Sequence, residues 1–230
     1  MAIELKFSLP EKLYLRDPQA TKYGHKLLGN SVLLIDELGF EGFTFKKLAR
    51  KINSTETSIY RYFENKHLLL LYLNCWYWEW INYLIEVETK NLSSPDISLK
   101  KTIHIIVNAS YEFNLTSYVD EAALHKVVVM EGAKSYHIHS VDSENKDGLF
   151  VCYKELVERV ASIVEAVQPE FKYPRTLSST LFEMANHQLY FAQHLPRLTD
   201  LKLKDGLSVE LEKMLLVFAT RLLSERNKIT

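Results

Sequence analysis

Chain punctuation is scarce. Seven glycines and six prolines among 230 residues leave little room for the closely spaced turns of a sandwich or barrel; they suit long helices. An excess of one charge is missing too. With 28 basic and 29 acidic residues the net charge is −1, which argues against a polycation that coats nucleic acid over its whole surface. The longest apolar run, Leu68 to Trp78, is broken by Asn74 and is shorter than the roughly 20 residues a bilayer requires. The N-terminus lacks a secretory-leader pattern. A soluble, cytoplasmic protein without a membrane partner is therefore expected. Only two cysteines occur, Cys75 and Cys152, far apart in apolar stretches, and the expectation is two buried, reduced thiols.

Signals for catalysis are equally thin. There is no glycine-rich phosphate loop and no Gly-x-Ser-x-Gly elbow. His137 and His139, with Asp142 nearby, sit in a predicted loop without a fourth ligand. Glu64 and His67 give one Glu-x-x-His, whereas a di-iron bundle repeats it on facing helices. We expect no catalytic residue, no metal and no cofactor.

What is present is helical periodicity. Residues are 47% hydrophobic and 25% charged, the composition of a globular chain. An N-terminal arm alternates Ile3, Leu5, Phe7 and Leu9 and reads as extended chain or a short strand. Asp17-Pro18 reads as a helix start, with Gly39 as its stop. Helices are then expected at about 44–51, 55–63, 65–90, 98–116, 117–131, 147–167, 175–195 and 207–227, with 133–146 irregular. The fold class is all-α, near nine helices.

Residues Phe43 to Lys66 carry the most information. Thr44 can cap a helix whose buried face is Phe45, Leu48, Ala49 and Ile52. Asn53 accepts a left-handed backbone, and Thr55 can cap a second helix. That helix buries Ile59 and Phe63 and leaves polar side chains outward. A short polar helix behind a tight turn is what reading a DNA major groove requires. Charge agrees. Between Thr21 and Lys66, eight bases against five acids leave +3 on a chain whose total is −1. Phosphate attraction is thereby concentrated at one end.

At this point the sequence resembles the TetR family of bacterial transcriptional regulators. The resemblance lies in Gly39-Phe40, Phe43-Thr44, Leu48-Ala49, Ile59 to Phe63, Asn65-Lys66 and Leu68, over roughly residues 21–70. The family turn usually reads Gly-Val-Ser; here it is Asn53-Ser54-Thr55. Glu56 is a second departure, an acid at the start of the groove-facing helix. The resemblance implies that Thr55, Thr57 and Tyr60 meet DNA and that Lys66 contacts phosphate. Arg61 and Lys46 or Lys47 are weaker phosphate candidates, and Thr44 and Ser58 complete the set. The N-terminal arm, with Lys12 and Arg16, either packs on the first helix or reaches a minor groove.

The resemblance also divides the chain into an arm and DNA-binding domain, residues 1–66, and a sensing and dimerisation domain, residues 67–230. Tyr72, Trp76, Trp80 and Tyr83 form an aromatic stripe. Core packing explains such a stripe, and so does the wall of a pocket for an apolar or aromatic effector. Tyr111, Tyr118 and Tyr153 are further candidate walls. Leu181, Met184 and Leu189, with Leu211, Met214 and Phe218, give apolar strips for a homodimer contact. The expected function is a regulator, by default a repressor, on double-stranded palindromic DNA. The alternative is an all-α hydrophobic-ligand binding protein or enzyme whose helix-turn-helix is vestigial.

Overall fold

The computed structural model describes residues 5–113, 116–202 and 207–224, the side chain of Leu207 excepted. Ile3, the Asp205-Gly206 helix start and the predicted last helical residue, Asn227, lie outside them. Among the described residues there are ten α-helices and no strand. They are α1 Lys22–Gly42, α2 Phe45–Lys51, α3 Glu56–Tyr60, α4 Lys66–Thr89, α5 Pro95–Glu112, α6 Glu121–Glu131, α7 Val141–Lys146, α8 Val151–Val167, α9 Pro174–His194 and α10 Leu207–Ser224. Among the described residues no helix is long and apolar enough to cross a membrane.

Several boundaries differ from the sequence reading, each for a local reason. Asp17 does start a turn, its carboxylate accepting from Gln19 N at 2.8 Å, but the turn is one 3-10 turn, Pro18–Ala20. The chain then extends at Thr21, which caps α1 by accepting from Gly24 N. The interruption turns Gln19 inward, where its side chain accepts from Phe7 N at 3.0 Å and donates to Phe7 O at 2.8 Å. α5 starts early because Pro95 occupies the first helical position behind Ser94. The stretch expected to be irregular holds α7, and Gly148, at φ 81°, separates it from α8.

The chain forms two compact units, Met1–Trp80 with Ser110–Tyr153, and Ile81–Ala109 with Lys154–Thr230. In the first, the arm belongs to the core and is not a strand. Phe7, Leu9 and Leu13 are buried, Phe7 packs edge-on against Trp76 at 5.2 Å, and Leu15 N donates to Tyr62 O at 2.8 Å. Lys12 pairs with Asp147, and Arg16 lies 5.4 Å from the Tyr62 ring. α1 packs along α6. Gly29 lets the segment just before α6 approach α1, since an added Cβ would stand 2.2 Å from Tyr118 O.

The cysteine expectation is half corrected. Cys75 and Cys152 are buried, but they are joined as a disulfide with a Cα–Cα distance of 5.4 Å. They lie 77 residues apart in sequence, so no local pattern announces the pairing.

In the second unit, α9 packs on α10. Glu212 of α10 is held by His104 Nδ1 at 3.0 Å and by Asn108 Nδ2 at 2.8 Å, both from α5. Arg159 bonds Asn82 and reaches Glu86 at 3.1 Å.

His125 of the first unit gives a stability prediction. It is buried between the parallel ring of Tyr77, 5.8 Å away, and Ser110 Oγ at 2.9 Å. Burial pushes its pKa down from 6.5 to about 4. The unfolded chain therefore takes up this proton first, so the stability is full above pH 6.5 and drains as pH falls toward 4. Between pH 7 and pH 5 urea unfolding should record a loss of about 2 kcal/mol that a His125→Gln variant does not share.

Candidate nucleic-acid interface

The reading surface is built from caps. Thr44 accepts from Lys47 N at 3.2 Å and starts α2. The helix ends at Ile52 in a Schellman arrangement: Asn53 N donates to Arg50 O at 3.2 Å and Ser54 N to Ala49 O at 2.8 Å. Asn53 has φ 51°, the left-handed position the sequence assigned to it. Thr55 then accepts from Ser58 N at 3.2 Å and meets Ser58 Oγ at 2.9 Å, starting α3.

Two α1 side chains brace this turn. Lys26 Nζ donates to Ile52 O at 2.8 Å, and Tyr23 and Ser54 share a hydroxyl–hydroxyl bond of 2.9 Å. Ser54 therefore does not cost the turn its anchor. A polar tether replaces the apolar packing that a valine provides.

α3 is shorter than expected and stops at Tyr60. Tyr62 is buried, its hydroxyl bonds Thr21 at 2.9 Å, and its carbonyl accepts from Leu15. Those partners pull the chain out of the helix. Ile59 and Phe63 are fully buried, as the spacing predicted, and each stabilises the module by about 1.5–3 kcal/mol. Phe45 lies edge-on to Tyr60 at 5.1 Å. Thr44, Lys46, Thr55, Thr57 and Arg61 are exposed, Tyr60 is 48% exposed, and Ser58 and Glu56 are half-buried. The presented face is thus polar and open.

Lys66 is half-buried, unlike the exposed Lys46 and Arg61. Its ammonium donates to Phe40 O at 3.0 Å and Phe43 O at 3.5 Å, and lies 4.5 Å from the Phe40 ring. It braces the α1–α2 corner. Phe40 N is held on the other side by Glu131 Oε1 at 3.0 Å, and Glu131 Oε2 pairs with Lys134 at 2.7 Å. Sequence reasoning missed Tyr23, Lys26 and Glu131. Their partners stand 26 to 91 residues away, beyond any periodic signal.

The aromatic candidates do not converge. Trp76 and Trp80 are buried in the first unit, their indole N–H groups without an acceptor. α4 is enclosed almost all round from Leu69 to Asn82, so the stripe is core there. Tyr111 is exposed and Tyr118 half-buried. Both line a cleft of about 750 Å³ between α1 and the start of α6, where His25 stacks on Tyr118 at 4.0 Å. Tyr153 faces Trp78 at 4.7 Å, and Tyr83 lies in the second unit, partly exposed. A recess of about 670 Å³ in the second unit has Asn82, Glu155 and Arg159 in its wall.

The dimer candidates divide between inside and outside. Leu181 and Leu211 are buried within the chain, Met184, Leu189 and Met214 are half-buried, and Phe218 is exposed. Val217 and Leu222 share the exposed side of α10.

A capped helix, a left-handed turn and a short open helix braced by α1 and α4 define the helix-turn-helix class. The sequence pattern of the bacterial regulatory proteins of the tetR family matches residues 28–73. Residues 28–73 are a TetR-type helix-turn-helix module. No curated protein matches the chain. Among solved structures, a tetR family transcription regulator from Shewanella sp. PV-4 superimposes with a TM-score of 0.62 at 12% identity, covering 92% of this chain and 100% of that one. AibR, in complex with isovaleryl coenzyme A and operator DNA, gives 0.56 at 11%, covering 84% and 95%. The superantigen PfiT gives 0.58 at 14%, covering 88% and 97%. At these identities the likeness shows the fold alone.

The cap geometry makes a direct prediction. Thr55→Ala should lower stability by about 1 kcal/mol, whereas Asn53→Gly, which accepts the same left-handed backbone, should leave it unchanged or raise it. Urea melts of both variants test the pair.

Proposed function

We propose that the protein is a TetR-like transcriptional regulator, by default a repressor. It binds a near-palindromic operator as a homodimer and is released by a small apolar or aromatic ligand. The observation that carries this reading is the outward polar face of α3, with Thr57 and Tyr60 open to solvent behind a braced turn. Thr55, Thr57, Ser58 and Tyr60 are the groups positioned for base or backbone contact. Thr44, Lys46 and Arg61 supply phosphate contacts at the rim. Lys66, engaged with two carbonyls, keeps a third N–H for phosphate. AibR crystallised with operator DNA supports carrying this mode over.

Residues 1–66 are the DNA-binding part and residues 67–230 the sensing and dimerising part. The exposed Phe218, Val217 and Leu222, continued by Met214, Met184 and Leu189, give the partner a face, with Leu181 and Leu211 supporting it from within. A two-fold pair must set its α3 helices about 34–36 Å apart to enter successive major grooves. Tyr111 and Tyr118, at the cleft, are the aromatic residues best placed to touch an effector. Trp76, Trp80, Tyr83 and Tyr153 enter only if the ligand reaches farther. The protein acts in the cytoplasm and is not an enzyme.

Selection of bound fragments from genomic DNA, followed by salt titration, tests the reading. Binding should fall about a thousandfold between 50 and 200 mM salt, and the Thr57→Ala, Tyr60→Ala double variant should lose at least about tenfold. A monomer at micromolar concentration by light scattering, or salt-insensitive binding, refutes it.

A further inference from the structure

We infer that Cys75 and Cys152 are a thiol–disulfide sensor site, closed by a hydroperoxide and reopened by a dithiol, that reports to the DNA-binding corner at Phe40. The setting rests on the regulator reading. A protein that works on DNA in a reducing compartment keeps thiols reduced, and the disulfides found there are mostly transient, catalytic or sensing. These are the chain's only two cysteines, and the fold brings them together across 77 residues.

Three features suit the site to a small oxidant. Both cysteines are buried, at 3% and 1% exposure. A cavity of about 20 Å³ touches both of them, room for a molecule of about the size of water. Asn74 lines that cavity, is 3% exposed, and its Oδ1 has no hydrogen-bond partner. An acceptor left so in the interior suits a small O–H donor. Cys152 also lies in the first turn of the 17-residue α8, where the positive end of the helix dipole favours its thiolate over that of Cys75 in mid-helix.

The chemistry closes on these atoms. The Cys152 thiolate attacks one oxygen of the hydroperoxide and the O–O bond breaks. The departing oxygen takes a proton and leaves as water, and Cys152 becomes a sulfenic acid. Cys75 sulfur attacks Cys152 Sγ and the S–O bond breaks. The released hydroxide takes the Cys75 proton and leaves as water. Two thiols lose two electrons and one peroxide bond gains them. A dithiol returns both electrons by exchange and becomes a disulfide itself.

The signal has a short path. Asn74, next to Cys75 on α4, donates to Gly132 O at 3.3 Å and Ser135 Oγ at 2.8 Å. Gly132 follows Glu131, whose carboxylate holds Phe40 N at 3.0 Å. Moving the third turn of α4 against the end of α6 therefore bears on the α1–α2 corner.

The test uses the full chain, reduced with dithiothreitol, desalted and titrated with hydrogen peroxide. Thiol titration and intact mass should show two thiols closing with the loss of two hydrogens, reversibly. Exchange of the Phe40 amide hydrogen should differ at least about tenfold between the two forms and be constant in Cys152→Ser or Cys75→Ser. A bond that dithiothreitol does not open in the folded protein, or Phe40 exchange identical in both forms, overturns the inference. Genomic-fragment binding separates the two readings. If Phe40 responds and neither form binds DNA, the sensor stands and the regulator falls. If both forms bind DNA equally and Phe40 is silent, the reverse holds.

Discussion

The corner at Gly39 and Phe40 is the constraint on which the first unit depends. Gly39 has φ 68°, a backbone that L side chains rarely adopt, and the next residue exposes both of its peptide groups to capture. Glu131 takes the Phe40 N–H and Lys66 takes the Phe40 carbonyl. One acid from the end of α6 and one base from the start of α4 thus hold the break that Gly39 makes inside α1, one turn before α2 begins. A buried carboxylate is tolerable here because Lys134 neutralises it and a backbone donor occupies its other oxygen. The direction of α3 follows from this corner, since α2 carries it through a turn with no freedom left.

That turn shows how a motif survives substitution. The requirement is a residue that accepts positive φ followed by an oxygen cap, and Asn53 and Thr55 supply both. The middle residue need only be anchored. Ser54 is anchored through the Tyr23 hydroxyl, so the compensating residue lies one helix away. Glu56 sits half-buried at the first position of α3, where a negative charge complements the helix N-terminus.

The aromatic residues of α4 mark the limit of pattern reading. A stripe of rings at helical spacing is the same whether it faces a pocket or a core. What distinguishes the two is whether neighbouring elements close over it, and at Trp76 the arm does so through Phe7. The arm itself reads as an extended segment because its apolar alternation has period two. It forms no strand because its hydrogen bonds go to the Gln19 side chain and to Tyr62 O.

By itself the sequence determined the helical class, the caps at Thr44 and Thr55, the left-handed Asn53 and the burial of Ile59 and Phe63. Each depends on residues within about four positions, the range over which a helix turn repeats. Pro95 at the start of α5 and Gly148 before α8 are local signals of the same kind. Tertiary structure alone decided the Cys75–Cys152 pairing, the Glu131 and Lys66 grip on Phe40, the tether of Tyr23 to Ser54 and the inward turn of Gln19. These contacts join residues brought together only after helices pack, and a linear pattern carries no record of which surfaces meet.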